Sequence, residues 1–493
     1  MRDFAMQKQS RETAALATRP PASPRQFRLW SCLGFTLLLL ITLPSPAQES
    51  KDVTLWLTTA DRSSLLTRQN APLHFEKSDS NLPAILVDDA RSYQSMDGFG
   101  FSLTGGSAQL LMKMGAPERK EFLQQLVGTG PNDIGVSYLR ISIGSSDMND
   151  HAFTYDDLAA GETDPNLAKF DLGPDSTTVV PVLKEILTIN PKIKILGSPW
   201  SAPAWMKTSD ALKGGSLRRE YYKTYAQYFV TYLHTMASLG IHLDAITLQN
   251  EPLNPNNTPS MVLEAADATV FIKEALGPAF RKAGITTKIQ VYDHNCDRPD
   301  YPLTILNDPE ARQYVAGSAF HLYGGEMGAL SQVHEAYPEK NLYFTEQMVI
   351  DKGEAAPLSV AEAVARLVIA APRNWSRNVL LWNLAADPKF GPHTDNGGCP
   401  MCEGAVTLDG NNVTKNVAWY VIAHAAKFVR PGSVRVWSTS TSGLPDVAFK
   451  TPDGRHVLIV ANPGHRPQTF QVRHHGESLT ATLNSESVGT FLW

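Results

Sequence analysis

The chain has 493 residues, of which 43% are hydrophobic and 19% charged, enough to bury one large domain and a smaller one. Its net charge of −5 is small for that length. Such a balance, with no basic patch, argues against nucleic-acid binding, which depends on neutralising phosphates with lysine and arginine.

The first organised stretch is N-terminal. Arg25 and Arg28 flank an apolar run from Leu29 to Leu43 that contains Leu37, Leu38, Leu39 and Leu40; Pro44, Ser45, Pro46 and Ala47 follow. A basic flank, a short apolar core and a small-residue exit predict a signal peptide over 1–48 and a secreted or periplasmic protein. The alternative is a membrane anchor, but the run is shorter than the roughly 20 residues a spanning helix needs. Residues 49–95 then carry strand-like pieces, such as 52–57.

From 96 to 412 short buried-strand patterns alternate with amphipathic helical ones. Strands are predicted at 97–101, 136–142, 193–198, 245–249, 289–293, 317–321, 341–345 and 378–382. Between them, Tyr221, Tyr225, Phe229, Tyr232 and Met236 recur at helical steps, and Gly240 stops that helix. Asp175 is placed to cap the helix through Val180, Leu183 and Ile186. Eight strand–helix alternations predict a (β/α)₈ barrel rather than a doubly wound sheet. Over 413–493 a linking helix precedes short strands near 433–438, 447–449, 456–460, 469–472 and 490–493. With 49–95 these predict an all-β sandwich built from both ends of the chain.

Two carboxylates stand out. Glu251 closes the run after the fourth predicted strand, and Glu346 closes the seventh. They lie 95 residues apart, close to the roughly 94 that three units of a 250-residue barrel span. Both are therefore expected at the C-terminal rim of one barrel, where such folds keep their chemistry. A nucleophile and an acid/base on one rim are what retaining glycoside hydrolysis needs. For either glutamate alone, an ordinary loop residue is the simpler reading. Of the cysteines, Cys399 and Cys402 have a spacing that suits a small loop disulfide better than a metal site lacking a second ligand pair, and Cys296 is left as a single thiol.

Several runs together resemble glycoside hydrolase family 30, the family that includes the lysosomal glucosylceramidase. They are Asp97 to Ser102 (DGFGFS), Leu139 to Asp147 (LRISIGSSD), Ser198 to Thr208 (SPWSAPAWMKT), Gln249 to Pro252 (QNEP), Phe320 to Tyr323 (FHLY) and Phe344 to Glu346 (FTE). They fall in family order over about residues 90–400. The resemblance implies Glu251 as acid/base, Glu346 as nucleophile and Asn250 as the partner of the sugar 2-hydroxyl. It places Asp147, Trp200 and Trp382 against the sugar. Arg140 and Tyr323 are expected beside Glu346, and His321 in the barrel, where a structural role competes with a binding one. Structural readings also compete for the others: core packing for the tryptophans, an ion pair for Arg140, a helix cap for Asp147. Asp293, His294 and Asn295 end the fifth strand and either line the cleft or support it.

The resemblance also implies a metal- and cofactor-independent β-glycosidase whose only partner is a glycoside, glycolipid or β-glucan. Glucosylceramidase or a β-glucosidase is the leading label, with endo-β-1,6-glucanase as the alternative. A non-catalytic carbohydrate-binding protein is the reading from another class, and the presence of both carboxylates argues against it. Two features depart from the glucosylceramidase pattern. Leu322 stands where that enzyme has an aromatic residue, and the loop from Asp387 to Glu403 carries the cysteine pair.

Overall fold

In the computed structural model the described residues are 52–78, 80–351, 358–439, 441 and 443–493. The signal-peptide assignment over 1–48 lies outside them.

Eight parallel strands close into a barrel: Gly98–Leu103, Tyr138–Ile143, Lys194–Pro199, Ala245–Thr247, Lys288–Cys296, Val315–Gly325, Asn341–Glu346 and Ser376–Leu381. Each predicted strand overlaps one of them. The pleat divides the barrel interior into layers, because residues two apart share a face and sit about 6.6 Å apart along the strand. Tyr138, Leu196, Ala245 and Leu380 form an apolar plug inside the barrel. Two residues further on, the same strands carry Arg140, Ser198, Thr247 and Trp382. The plug closes the barrel below, and the polar layer opens toward the C-terminal rim.

Around the barrel the helices bury their apolar stripes, as in Tyr222–Ser238, which covers Tyr225, Phe229, Tyr232 and Met236. Each such large side chain contributes roughly 1.5–3 kcal/mol on burial. The cap assigned to Asp175 is not formed. Thr178 is the N-cap residue of the helix Val179–Ile189, with no side-chain bond. The Asp175 carboxylate instead accepts the Tyr155 hydroxyl at 2.7 Å, drawn away by a buried partner 20 residues earlier.

The second layered unit joins distant parts of the chain. Asp52–Thr58 pairs antiparallel with Ser487–Leu492, and Ala84–Ser95 pairs both with Val434–Ser438 and with Gln468–His474. Register shifts along Ala84–Ser95 let one strand serve both faces of the sandwich. Val53, Ile85, Val87, Phe470 and Phe491 fill the space between. The linking helix Val417–Ala426 ties this unit to the barrel. Its His424 is fully buried and bonds Thr490 and Thr58 at 2.8 Å each. Burial pushes the His424 imidazole down to about 3, so it bridges the hydroxyls as a neutral ring. Among the described residues no helix is long and apolar enough to cross a membrane.

Candidate active site

The polar layer converges at the barrel mouth on one guanidinium. Arg140 is fully buried. Its Nη1 donates to Glu346 Oε2 at 2.5 Å, its Nη2 to Asp293 Oδ2 at 2.8 Å and to Asn250 Oδ1 at 2.6 Å, and its Nε to Ser198 Oγ at 3.2 Å. One planar fork on the second strand thus fixes residues from the third, fourth, fifth and seventh strands and their ends, which a lysine point charge could not do. The Asn250 carbonyl is held by Arg140, which turns the amide NH₂ the other way.

Asp293 is the second hub. Its carboxylate accepts from Arg140, Ser198, Thr247, Thr345 and His321, at 2.6 to 3.1 Å. Asp293 has a φ of 60°, and the pairing register slips beside it, between Ala319 and Phe320. An irregularity of this kind re-aims a side chain next to a site. The Arg140 guanidinium, with His321 and Thr345, outweighs burial and holds Asp293 far below the usual carboxylate range.

This pair carries a prediction. Arg140→Leu leaves the carboxylates of Asp293 and Glu346 in the interior without their counter-charge. Removing one partner of a buried pair costs about 3–5 kcal/mol. Chemical denaturation of the variant is expected to show a loss of that size. A loss under about 1 kcal/mol would contradict a buried Arg140–Asp293 pair.

Glu251 follows the short fourth strand on a backbone with φ of 45°. Its amide N–H donates to Asp293 O at 3.0 Å and that of Asn250 to Pro199 O at 2.7 Å, which locks the turn. Asn254 and Asn257 donate to Glu251 Oε2 at 2.7 and 3.3 Å. His321 lies below both glutamates, its Nδ1 3.4 Å from Glu251 Oε1 and 3.8 Å from Glu346 Oε1. Its Nε2 meets Asp293 at 3.1 Å. The Tyr323 hydroxyl donates to Glu346 Oε1 at 3.1 Å.

The electrostatics follow from this crowding. Burial works against the His321 imidazolium, but Glu346, Asp293 and Glu251 surround it and raise it to about 9. Burial also pushes Glu251 upward, yet His321, with Asn254, outweighs it and holds Glu251 at about 2. Burial keeps Glu346 above the ordinary carboxylate range, against the pull of His321 and Arg140. Arg140 lies beside Glu346 as expected, and its pull is only part of the balance. Burial first, then Glu346 and Glu251, push Asp147 up to about 8, which favours its protonated form over that of an exposed carboxyl.

The remaining predicted residues line or back the same space. Trp200 and Trp382 are buried with ring centroids 5.4 Å apart, and Arg140 lies over both, at 4.8 and 5.8 Å. The buried Trp200 indole N–H has no hydrogen-bond partner among the described residues. Asp147 caps no helix: it sits in a loop whose carbonyl accepts from Thr394. A cavity of about 480 Å³ opens between Asp147, Glu251, Tyr323, Glu346 and Trp382, with His294 and Asn295 on its wall. A carboxylate oxygen of Glu251, one of Glu346 and a nitrogen of His321 all lie within 4.8 Å of one another.

Sequence reasoning undervalued Asp293 and overlooked Asn254 and Asn257. The signal for the first was present: Arg140, Ser198, Thr247, Asp293, His321 and Thr345 are polar residues inside otherwise apolar strand runs. The asparagines sit in a loop without periodicity and carry no such signal.

Among the described residues two clusters place three ligand-type atoms within 4.8 Å of one another: this trio, and Asp89, His456 and His474 in the sandwich. In the first, Arg140, Tyr323, Asn254 and Asp293 already engage every member. In the second, Lys450 pairs with Asp89 at 2.8 Å, and the Trp493 indole N–H donates to His474 Nδ1 at 3.3 Å. That donation leaves the ring proton on Nε2, the atom a metal would need.

Comparison with known proteins places this geometry. The model of the Glycosyl hydrolase family 30 TIM-barrel domain matches residues 96–429, and that of the family 30 beta sandwich domain matches 432–491. The barrel match runs through the linking helix, whose Trp419 packs on Phe122 of the barrel. An endo-1,6-β-D-glucanase of Aspergillus fumigatus is 33% identical over 437 residues, covering 83% of this chain and 87% of that one. A solved endo-β1,6-glucanase structure superposes with a TM-score of 0.82 at 34% identity, covering 90% of this chain and 99% of the other. The lysosomal acid glucosylceramidase of Mus musculus is 26% identical, with 83% of each chain covered.

Proposed function

The chain belongs to glycosyl hydrolase family 30, and from that premise we propose that it is a retaining endo-β-1,6-glucanase. The observation that carries the substrate is the likeness to endo-1,6-glucanases, at 33–34% identity over 83–90% of the chain, against 26% for the lysosomal glucosylceramidase. The comparisons therefore favour the alternative over the glucosylceramidase label that the motifs alone suggested. Retention is supported by the short separation of the two carboxylates, within 4.8 Å at their nearest oxygens. Glu346, steadied by Arg140 and Tyr323, attacks the anomeric carbon. Glu251 delivers the proton it shares with His321 to the leaving oxygen, then takes one from water to release the glycosyl group. The Asn250 NH₂ is turned to meet the 2-hydroxyl, while neutral Asp147 and the Trp200 indole N–H donate to the outer hydroxyls of the same ring. In keeping with a polymeric substrate outside the cell, the protein is secreted.

The test is a time course on β-1,6-glucan, with glucosylceramide assayed in parallel. Oligosaccharides of intermediate length appear first, and NMR of the earliest product shows the β-anomer. Glucose as the sole early product, or turnover of glucosylceramide without polymer cleavage, overturns the substrate reading. An α-anomer overturns retention.

A further inference from the structure

The loop between the eighth barrel strand and the linking helix crosses the barrel mouth. Thr394 N–H donates to Asp147 O at 2.9 Å and Thr394 Oγ1 to Thr258 O at 2.7 Å, while Lys213 Nζ donates to Asn396 O at 2.9 Å. These contacts pin its first half to the loops that follow the second, third and fourth strands. Its far end is pinned too: Ala405 N–H donates to Asn383 O at 2.8 Å, and Glu403 accepts the Asp351 N–H at 3.0 Å. Between the two anchors lies a four-residue turn closed by the Cys399–Cys402 disulfide. The bridge does not face solvent alone. Cys402 packs with Met148, Trp200 and Trp382, and Cys399 and Met348 pack against that cluster. Both cysteines line the cavity that holds Glu251 and Glu346.

The cavity lining is of two unlike kinds. One is sulphur and indole: the disulfide, Met348 and Trp382. The other is amide: Asn254, Asn257 and Asn295. A pyranose has apolar C–H faces and a polar rim, so it suits a lining that offers both an apolar, polarisable surface and amide groups. We propose that the Cys399–Cys402 bridge is a specificity element of the cleft, the wall on which the hexopyranose adjoining the cleaved residue stacks. Closing the turn covalently keeps that wall in place before substrate arrives, which spares the ordering cost on binding. This rests on the proposed β-1,6-glucanase reading for the identity of the adjoining sugar.

The experiment compares kcat/KM for a β-1,6-linked glucotetraose with kcat/KM for an aryl β-glucoside, which fills only the position at the catalytic pair and a small leaving group. It uses the wild type, a Cys399→Ser/Cys402→Ser double variant, and wild-type protein reduced under native conditions and capped, with two additional thiols counted. The ratio of tetraose to aryl glucoside efficiency is expected to fall at least about tenfold in both altered proteins, the change residing in KM. A ratio within twofold of wild type overturns the proposal, whether both activities hold or both fall together. Reduced and capped protein serves where the double variant folds poorly. If the wild type leaves the β-1,6 tetraose intact, the substrate reading fails instead, and the ratio is taken on the β-linked oligosaccharide it does cleave. A wild type that hydrolyses the aryl glucoside and no oligosaccharide overturns both.

Discussion

Replacing Glu346 with alanine is expected to lower kcat by about 10⁴- to 10⁶-fold, the range seen when an enzyme loses a central member of its catalytic group. The fold should hold, because Arg140 keeps Asp293 and Asn250 as partners at 2.8 and 2.6 Å. What distinguishes a nucleophile from a merely important carboxylate is the product of rescue. The truncated side chain leaves a space on the face of the sugar opposite the leaving group. Azide entering there attacks the anomeric carbon with a single inversion, so an α-glycosyl azide forms from an activated aryl β-glucoside. A β-glycosyl azide from this variant, or near-normal hydrolysis without azide, would remove Glu346 from the role.

Glu251→Gln is expected to act selectively. General acid assistance supplies about 10²- to 10⁴-fold, and a leaving group that departs as a stable phenolate needs little of it. For the glucan, whose leaving oxygen is an alkoxide, activity should fall through that range. For a nitrophenyl glucoside, the first step should survive and the second, which needs a base to activate water, should stall. The measurable sign is a burst of phenolate equal to the enzyme concentration, followed by slow turnover. The pH profile gives a second sign. In the wild type the shared proton leaves as pH rises through about 9, where His321 titrates, so kcat/KM for the glucan falls on that side. With an activated glucoside the variant needs no such proton, and its burst step should lack that limb. An absent burst in folded protein would argue that Glu251 serves binding instead.

The barrel could be read from the chain because buried parallel strands are short continuous apolar runs, and because such folds collect chemistry at one end of them. Glu251 and Glu346 were visible as charges ending those runs. What could not be read was support that depends on long-range convergence. The charge of Asp293 after an apolar run is legible, but its place as the anchor of Arg140 and His321 is not, because a register slip in the closed barrel turns it inward. Asp175 has the composition of a cap, but Tyr155 competes for it through burial. In the sandwich, Glu477–Leu483 carries Glu477, Ser478, Thr480 and Thr482, and Ala84–Ser95 leaves Leu86, Ala90, Arg91 and Ser92 exposed, so both have the polarity of turns. The direction of the pKa shifts was likewise beyond sequence: Glu251 is lowered by His321, a residue whose proximity only the closed barrel creates.

The pairing of Asp52–Thr58 with Ser487–Leu492 has a consequence for how the molecule is made. Thr58 and its partner Val488 are about 430 residues apart, and ribosomes add roughly 5–20 residues per second. One edge of Asp52–Thr58 pairs early with Thr67–Arg68 and Leu73–His74, but the edge that meets Ser487–Leu492 waits roughly 20 to 90 s for its partner. Throughout that interval it presents an unpaired edge, the feature that templates aggregation. The barrel can close on the ribosome meanwhile, since all its strands lie between. A vectorially synthesised chain thus completes the pairing of Asp52–Thr58 among its last, and its yield in a host is expected to depend on whatever shields that edge during the wait.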